Sequence, residues 1–217
     1  MKTKKIMLFV CGLALCFTAC DTLNSFLNTN GNSSSSASGN SNSSNYGTSG
    51  GSATSLEAAV LAELNFARTK PKEYVAARLQ PYAASGSTAL KECISEMNKM
   101  SPVAALKEGA GLTKTAREWV AVQGPTGETG HGSGSNSFTT RIQKYSKWTQ
   151  VAENISYGHN DAEKIVRQLL EDNGVASRGH RKNILNQAYT HVGIACGEHK
   201  VFRYMCVQDF AANYSAK

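Results

Sequence analysis

Apolar and polar positions divide the chain into three stretches. From Ile6 to Ala19 the residues are almost continuously apolar, and from Asn24 to about Ser52 they are almost entirely Asn, Ser, Gly and Thr. From Thr54 onward apolar residues recur at regular spacing, first with the period of helices and later with that of strands. Only this third stretch reads as a folded body.

Within it, Thr54 followed by Glu57 makes a capping box, and Val60, Leu61, Leu64 and Ala67 recur at helical spacing, which predicts a helix over Ser55 to Thr69. Lys70-Pro71 ends it. Pro71 opens a second, shorter helix with Tyr74, Val75 and Leu79, expected to stop before Pro81. A third helix is expected from about Ala89 to Lys99, and a fourth from Gly111 to Val122 with Leu112, Ala116, Trp119 and Val120 on one side. A Gly- and Ser-rich loop, Gly124 to Ser137, then holds His131. Asn160 with Glu163 makes another capping-box pattern before a helix from Ala162 to Asp172, whose inward face is Ile165, Val166, Leu169 and Leu170 and which Gly174 ends. Arg181 to Asn186 suits a last short helix.

Ile155 and Tyr157 flank a strand end. His191 to Cys196 and Val201 to Phe210 are strand-like and are separated by Gly197-Glu198-His199-Lys200, so the chain closes with an antiparallel hairpin. Helices come first and strands last, with too few alternations for a parallel sheet. The class is therefore α+β, with helices packed on a small antiparallel sheet.

The first apolar run follows Lys2, Lys4 and Lys5. At about fourteen residues it falls short of the roughly twenty that cross a bilayer, and it has the form of an export signal. It ends at Phe17-Thr18-Ala19-Cys20, whose small residues before a cysteine resemble a bacterial lipobox, while bulky Leu15 makes Cys16 the poorer choice. Residues 1–19 are thus read as a lipoprotein signal peptide, 20–53 as a lipidated Cys20 with a polar tether, and 54–217 as one domain. A Gly/Ser-type coil of about thirty residues has an r.m.s. reach of about 30 Å, enough to hold the domain clear of a membrane on its outer side.

Formal charge is +7, or about +4 once the three signal lysines are removed. No basic run interleaved with aromatics accompanies it, which argues against a nucleic-acid partner. Of six cysteines, Cys11 and Cys16 lie in the signal and Cys20 carries lipid, leaving Cys93, Cys196 and Cys206. Export favours a disulfide. Cys196 with Cys206 is preferred because both lie in the predicted hairpin, yet a turn centred near His199 sets Cys196 opposite Phe202, so Cys93 stays open as a partner.

Three segments together carry a resemblance: His131 ahead of Thr140-Arg141-Ile142, then Ala152-Glu153-Asn154-Ile155-Ser156-Tyr157-Gly158, then Ser177-Arg178-Gly179-His180-Arg181-Lys182-Asn183-Ile184-Leu185. Leu64-Asn65-Phe66-Ala67-Arg68 and Val192-Gly193-Ile194-Ala195 add to it. From about Leu56 to Phe210 the chain resembles the CAP (SCP-like) superfamily, in its bacterial branch. The resemblance implies an α-β-α sandwich with a central, mostly antiparallel sheet and a cleft where two histidines and two acids converge.

Carried over residue by residue, the cleft comprises His131, Glu153 and His180, with Asp172 preferred over Glu171 as the fourth member. Two neutral imidazoles beside a carboxylate suit a divalent cation such as zinc. Glu153 can alternatively be a structural acceptor that fixes its loop. His159, His191 and His199 read as ordinary surface or strand residues, His199 in a turn; Arg178 and Arg181 flank His180 and suit either an anionic ligand or structural ion pairs. The resemblance implies a binding module for a lipid, a sterol, peptidoglycan or a host protein. The alternative is a metal-assisted hydrolase with Glu153 as general base, although residues 54–217 contain no His-Glu-x-x-His or Gly-x-Ser-x-Gly signature.

Overall fold

A computed structural model describes residues 54–217; the signal peptide, Cys20 and the tether lie outside the described residues. The first helix, α1, covers Ser55–Thr69 as its capping box predicts: the Thr54 side chain accepts from the Glu57 N–H, and Glu57 accepts from the Thr54 N–H at 2.7 Å. Pro71 opens α2 (Pro71–Tyr74), but the chain does not stop before Pro81. It continues through a widened turn, Val75–Leu79, and a tight one, Gln80–Tyr82, in which Pro81 sits at the start, where its missing N–H costs no bond. Helix α3 covers Thr88–Lys99.

A two-residue strand β1 (Lys107–Glu108) leads into α4 (Ala110–Thr126), which runs past the expected end at Val122 and past Pro125 to stop at left-handed Gly127. The loop holding His131 is correspondingly shorter. After it come α5 (Phe138–Tyr145), β2 (Ser146–Lys147), β3 (Gln150–Tyr157), α6 (Ala162–Glu171), α7 (Gly179–Leu185), β4 (His191–His199), β5 (Arg203–Ala212) and β6 (Ser215–Ala216). Asp161, not Asn160, caps α6 by accepting from the Lys164 N–H, and the helix ends one residue early because Asp172 turns left-handed ahead of Gly174.

The main sheet has the order β1-β4-β5-β3, with β1 parallel to β4 and the other pairs antiparallel; β2 and β6 form a separate two-stranded ladder. Side chains alternate across it. One face, with Val192, Ile194, Cys206 and Phe210, joins Val60, Leu64, Ile165, Leu169 and Ile184 in the larger core; the other, with Ile155, Ala195 and Val207, packs on Ala116 and Trp119 of α4. Helices therefore cover both faces of a mostly antiparallel sheet. Gly193 permits the closest approach: a Cβ there would lie 2.0 Å from the Leu112 carbonyl carbon, so α4 rests backbone to backbone on β4.

The hairpin register decides the disulfide. His199 pairs with Arg203, so the turn is centred on Val201, two residues later than expected, and Cys196 faces Cys206 instead of Phe202. The structure bonds that pair across a Cα separation of 4.0 Å. Cys93 stays a buried thiol, its pKa pushed up to about 12 chiefly by burial.

Arg68 is fully buried at the end of α1, and its guanidinium meets four carbonyls: Ala104 (2.9 Å), Ile184 (2.6 Å), Asn186 (2.9 Å) and Tyr189 (3.0 Å). Burial alone lowers its pKa to about 10, which leaves it charged at neutral pH. Those bonds tie α1 to the link before β1 and to the end of α7. Replacing Arg68 with Met leaves the carbonyls without donors and is expected to cost on the order of 3 kcal/mol; a denaturant midpoint within experimental error of wild type would contradict this role.

Candidate functional site

His131 lies in a loop that the sheet and α4 hold from beneath. Gly130 accepts from Trp119 Nε1 (3.0 Å) and Gln123 Nε2 (2.8 Å) and donates its N–H to the Tyr157 hydroxyl (3.0 Å), which in turn donates to Gln123 Oε1 (2.6 Å). Gly132 is left-handed at φ 73°, and a Cβ there would meet the Trp119 ring at 2.8 Å and the Asn136 carbonyl at 2.3 Å. That position requires glycine.

Arg141 of α5 locks the loop. Its side chain is 1% exposed, its guanidinium stacks 4.0 Å above the Trp119 ring, and it donates to the carbonyls of His131 and Asn136 and to Glu153 Oε2. The other oxygen of Glu153 is 2.8 Å from His131 Nδ1. A carboxylate can only accept, so Nδ1 carries the hydrogen and Nε2 is left for another partner.

A second pair is built at the start of α7. Asp172 Oδ1 is 2.6 Å from His180 Nδ1, while Oδ2 accepts the backbone N–H of His180 at 2.8 Å and of Arg181 at 3.4 Å. One carboxylate thus caps the helix and orients its imidazole. Glu171 points elsewhere and accepts from the Ser87 hydroxyl. In both pairs the acid side chain is 1% exposed whereas the imidazole is open to solvent, at 32% for His131 and 17% for His180.

The two pairs are joined through one dipeptide of β3. Glu153 reaches His131 on one face of the sheet, and Asn154 on the other donates to the His180 carbonyl (3.0 Å) and accepts from Asn183 Nδ2 (2.8 Å). The period-2 alternation of a strand makes this possible.

The flanking arginines serve the fold. Arg181 is 2% exposed and donates to the carbonyls of Leu170, Ala89 and Glu171 and to Glu96. Arg178 pairs with Glu92 and donates to the carbonyls of Asp172 and Val175. His199 is no turn residue: it is 2% exposed at the end of β4, where Nδ1 accepts from the Val201 and Phe202 N–H groups and Nε2 donates to the Glu128 carbonyl. His159 and His191 both have pKa values lowered chiefly by burial.

A zinc site takes at least three protein ligands. Among the described residues no group of three or more His, Cys, Asp or Glu comes together. Both oxygens of Glu153 and of Asp172 are already engaged, by an imidazole and by Arg141 or the α7 backbone. As placed, these residues do not fit a resident zinc. Two surface cavities, of about 240 and 340 Å³, are lined by other residues, Cys196 and Tyr204 in one and Glu96 and Leu185 in the other.

Sequence reasoning left out Asp209, which is fully buried on β5 opposite Glu153. Its signal was available: an acid on the strand face whose other buried residues are Met205, Val207 and Ala211. Burial first, and Glu153 second, raise its pKa well above the usual carboxyl range. The folded state therefore holds a proton that the unfolded chain releases near about pH 3.9. Stability from this group is present below that pH and is lost as pH rises toward the native pKa.

Two outcomes follow. Asp209→Asn is expected to gain melting temperature relative to wild type on going from about pH 4 to about pH 7, and an equal difference at both pH values would contradict the buried acid. Asp172→Ala is expected to lose about 1–2 kcal/mol through the missing cap, as read from a urea midpoint.

The family model described as the cysteine-rich secretory protein family, CAP, matches residues 61–210. Among solved structures, an extracellular protein containing an SCP domain from Bacillus anthracis str. Ames is similar at 21% identity and a TM-score of 0.41, over 57% of this chain but only 38% of the Bacillus chain. An outer surface protein from Borrelia burgdorferi is similar at 16% identity and a TM-score of 0.43, over 66% of this chain and 94% of that one. A search of curated proteins finds no match. The family match covers both histidine pairs and the strand that joins them, and the chain belongs to the cysteine-rich secretory protein (CAP) family.

Proposed function

We propose that this chain is an extracytoplasmic binding module, held to a bacterial membrane by a lipid on Cys20, that takes its ligand through His131 and His180. The anchor is supported by the sequence alone, in the basic head, the apolar run Ile6 to Ala19 and the small residues before Cys20. Among the described residues no helix is long and apolar enough to cross a membrane.

The observation that supports binding is that two imidazoles, each fixed through Nδ1 by a buried carboxylate, keep Nε2 without a protein partner among the described residues. Each Nε2 accepts a hydroxyl or amide hydrogen when the ring is neutral and donates when it is protonated. The exposed large apolar side chains of the described residues are Tyr82, Val122 and Val201, on three separate elements. That distribution favours a hydroxyl- or amide-rich ligand, such as an envelope glycan or peptide, over a lipid or sterol tail.

Binding of the full chain to isolated peptidoglycan and to sterol-containing vesicles tests this. Retention on peptidoglycan is expected, falling about tenfold in His131→Ala or His180→Ala if each contributes one hydrogen bond of about 1.4 kcal/mol. Equal retention by wild type and both variants would overturn the reading. Cys20→Ala is expected to move the protein from the membrane to the soluble fraction. One zinc bound per chain and lost in both histidine variants would instead favour the metal-assisted hydrolase.

A further inference from the structure

Among the described residues the main sheet ends at β3, which pairs with β5 on one side and with no strand on the other. The Gly158 N–H donates to the Tyr204 carbonyl at 2.9 Å, in register with the β3–β5 ladder, and this fixes the phase of the strand. Gln150, Ala152, Asn154 and Ser156 bond to β5, whereas Val151, Glu153 and Ile155 turn their N–H and C=O groups outward. In the same phase the Tyr157 carbonyl accepts from Gln168 Nε2 at 3.3 Å. Among the described residues the outward groups of Val151, Glu153 and Ile155 have no hydrogen-bond partner. The opposite edge of the sheet is covered: β1 lies along β4, and the Glu57 carboxylate accepts the Cys196 N–H at 3.2 Å.

Main-chain donors and acceptors that repeat at every second residue match another extended main chain. A lipid tail has no groups to meet them, and a glycan has no such backbone row. Residues 152 to 156 are each 8% exposed or less, so the edge lies in a recess. Glu153 is 6% exposed against 1% for its side chain, so what it opens to solvent is mainly main chain. A recess admits a single extended segment where the edge of a second folded copy meets its walls. Glu153 holds His131 on one face of β3, and Asn154 holds the start of α7, with His180, on the other. The side chains of an added strand alternate between the same two faces.

We propose that the outer edge of β3 is a peptide-binding site: an extended segment of another polypeptide adds there as a further strand, bonded to the main chain of Val151, Glu153 and Ile155. Its side chains point in turn toward His131 and toward His180. The proposal rests on the reading that the two histidines face a ligand, and it narrows that ligand to a peptide. Main-chain bonds hold the strand whatever its sequence, and the two imidazoles select hydroxyl or amide side chains.

Amide hydrogen exchange of the purified full chain in detergent, read residue by residue by NMR, provides the test. The probe is a pool of capped L-peptides of Ser, Thr, Asn and Val, long enough to span the edge. In the chain alone the Val151, Glu153 and Ile155 amides are expected to exchange faster than those of Ala152 and Asn154, which are bonded to β5. At a peptide concentration about ten times Kd the three outward amides are expected to slow about tenfold, and the same pool N-methylated at every residue is expected to have no effect. Val151→Pro removes one outward donor and leaves the β5 ladder intact, as edge strands allow; it is expected to weaken peptide binding about tenfold. No slowing at millimolar peptide, equal slowing by the methylated pool, or undiminished binding by a folded Val151→Pro would each overturn the proposal; if that variant does not fold, the methylated pool decides. Slow exchange of the three amides in the chain alone would overturn it too, showing an edge covered by a second copy where it depends on protein concentration and by residues 1–53 where it does not. Slowing that persists in His131→Ala and His180→Ala upholds the strand site and rejects the histidines as ligand contacts. Peptidoglycan retention lost in both variants, beside an edge that no peptide reaches, does the reverse.

Discussion

A guanidinium buried in a protein must find acceptors for its fixed fan of N–H groups, and three such groups organise this molecule. Arg68, Arg141 and Arg181 are the largest fully or nearly fully buried side chains of the described residues. Each is met mostly by backbone carbonyls; Arg68 and Arg181 reach segments distant in the chain, while the partners of Arg141 lie 5 to 12 residues away. Arg68 ties the last turn of α1 to the end of α7, Arg181 ties the start of α7 to α3 and α6, and Arg141 ties α5 to the His131 loop and β3. The hydrophobic core brings these layers together, and the arginine bonds specify where they stop.

The two histidine–carboxylate pairs hang on that frame. His131 is placed by a glycine loop that contacts from Trp119, Gln123, Tyr157 and Arg141 make definite. His180 is placed by a helix whose two ends are held by Arg68 and Asp172. Because Glu153 and Asn154 alternate across β3, one strand serves both. Each imidazole is oriented by an acid that is itself almost inaccessible, an arrangement that turns a ring toward solvent without exposing the carboxylate behind it.

Much of this was legible in the sequence where the signal is local. The capping box at Thr54 and Glu57 and the apolar face of α6 fix their elements to within a residue or two, and Pro71 fixes the start of α2. Motif resemblance carried the α-β-α layering, and it singled out the segments in which His131 meets Glu153 and His180 meets Asp172. What the sequence did not disclose depends on contacts between distant residues. The partners of Arg68 lie 36 to 121 residues away and are carbonyls, which carry no side-chain signature. His199 looked like a turn residue because its acceptor, the Glu128 carbonyl, belongs to another loop. The hairpin turn was misplaced by two residues because neither Gly197 nor the polar run around it marks the centre, and Arg203 adopts a left-handed conformation that no glycine announces. Asp209 reads as a polar interruption in a strand until its neighbour across the ladder is known.

The most direct measurement is nitrogen NMR of the His131 and His180 rings in Arg141→Lys, which keeps the charge but not the planar fork of donors. His131 is expected to lose its single Nδ1–H form as Glu153 and the loop come free, while His180, held by Asp172 on the other face, keeps its own. A His131 ring unchanged from wild type, or equal changes at both histidines, would contradict a cleft whose two halves are fixed separately by buried arginine and carboxylate groups.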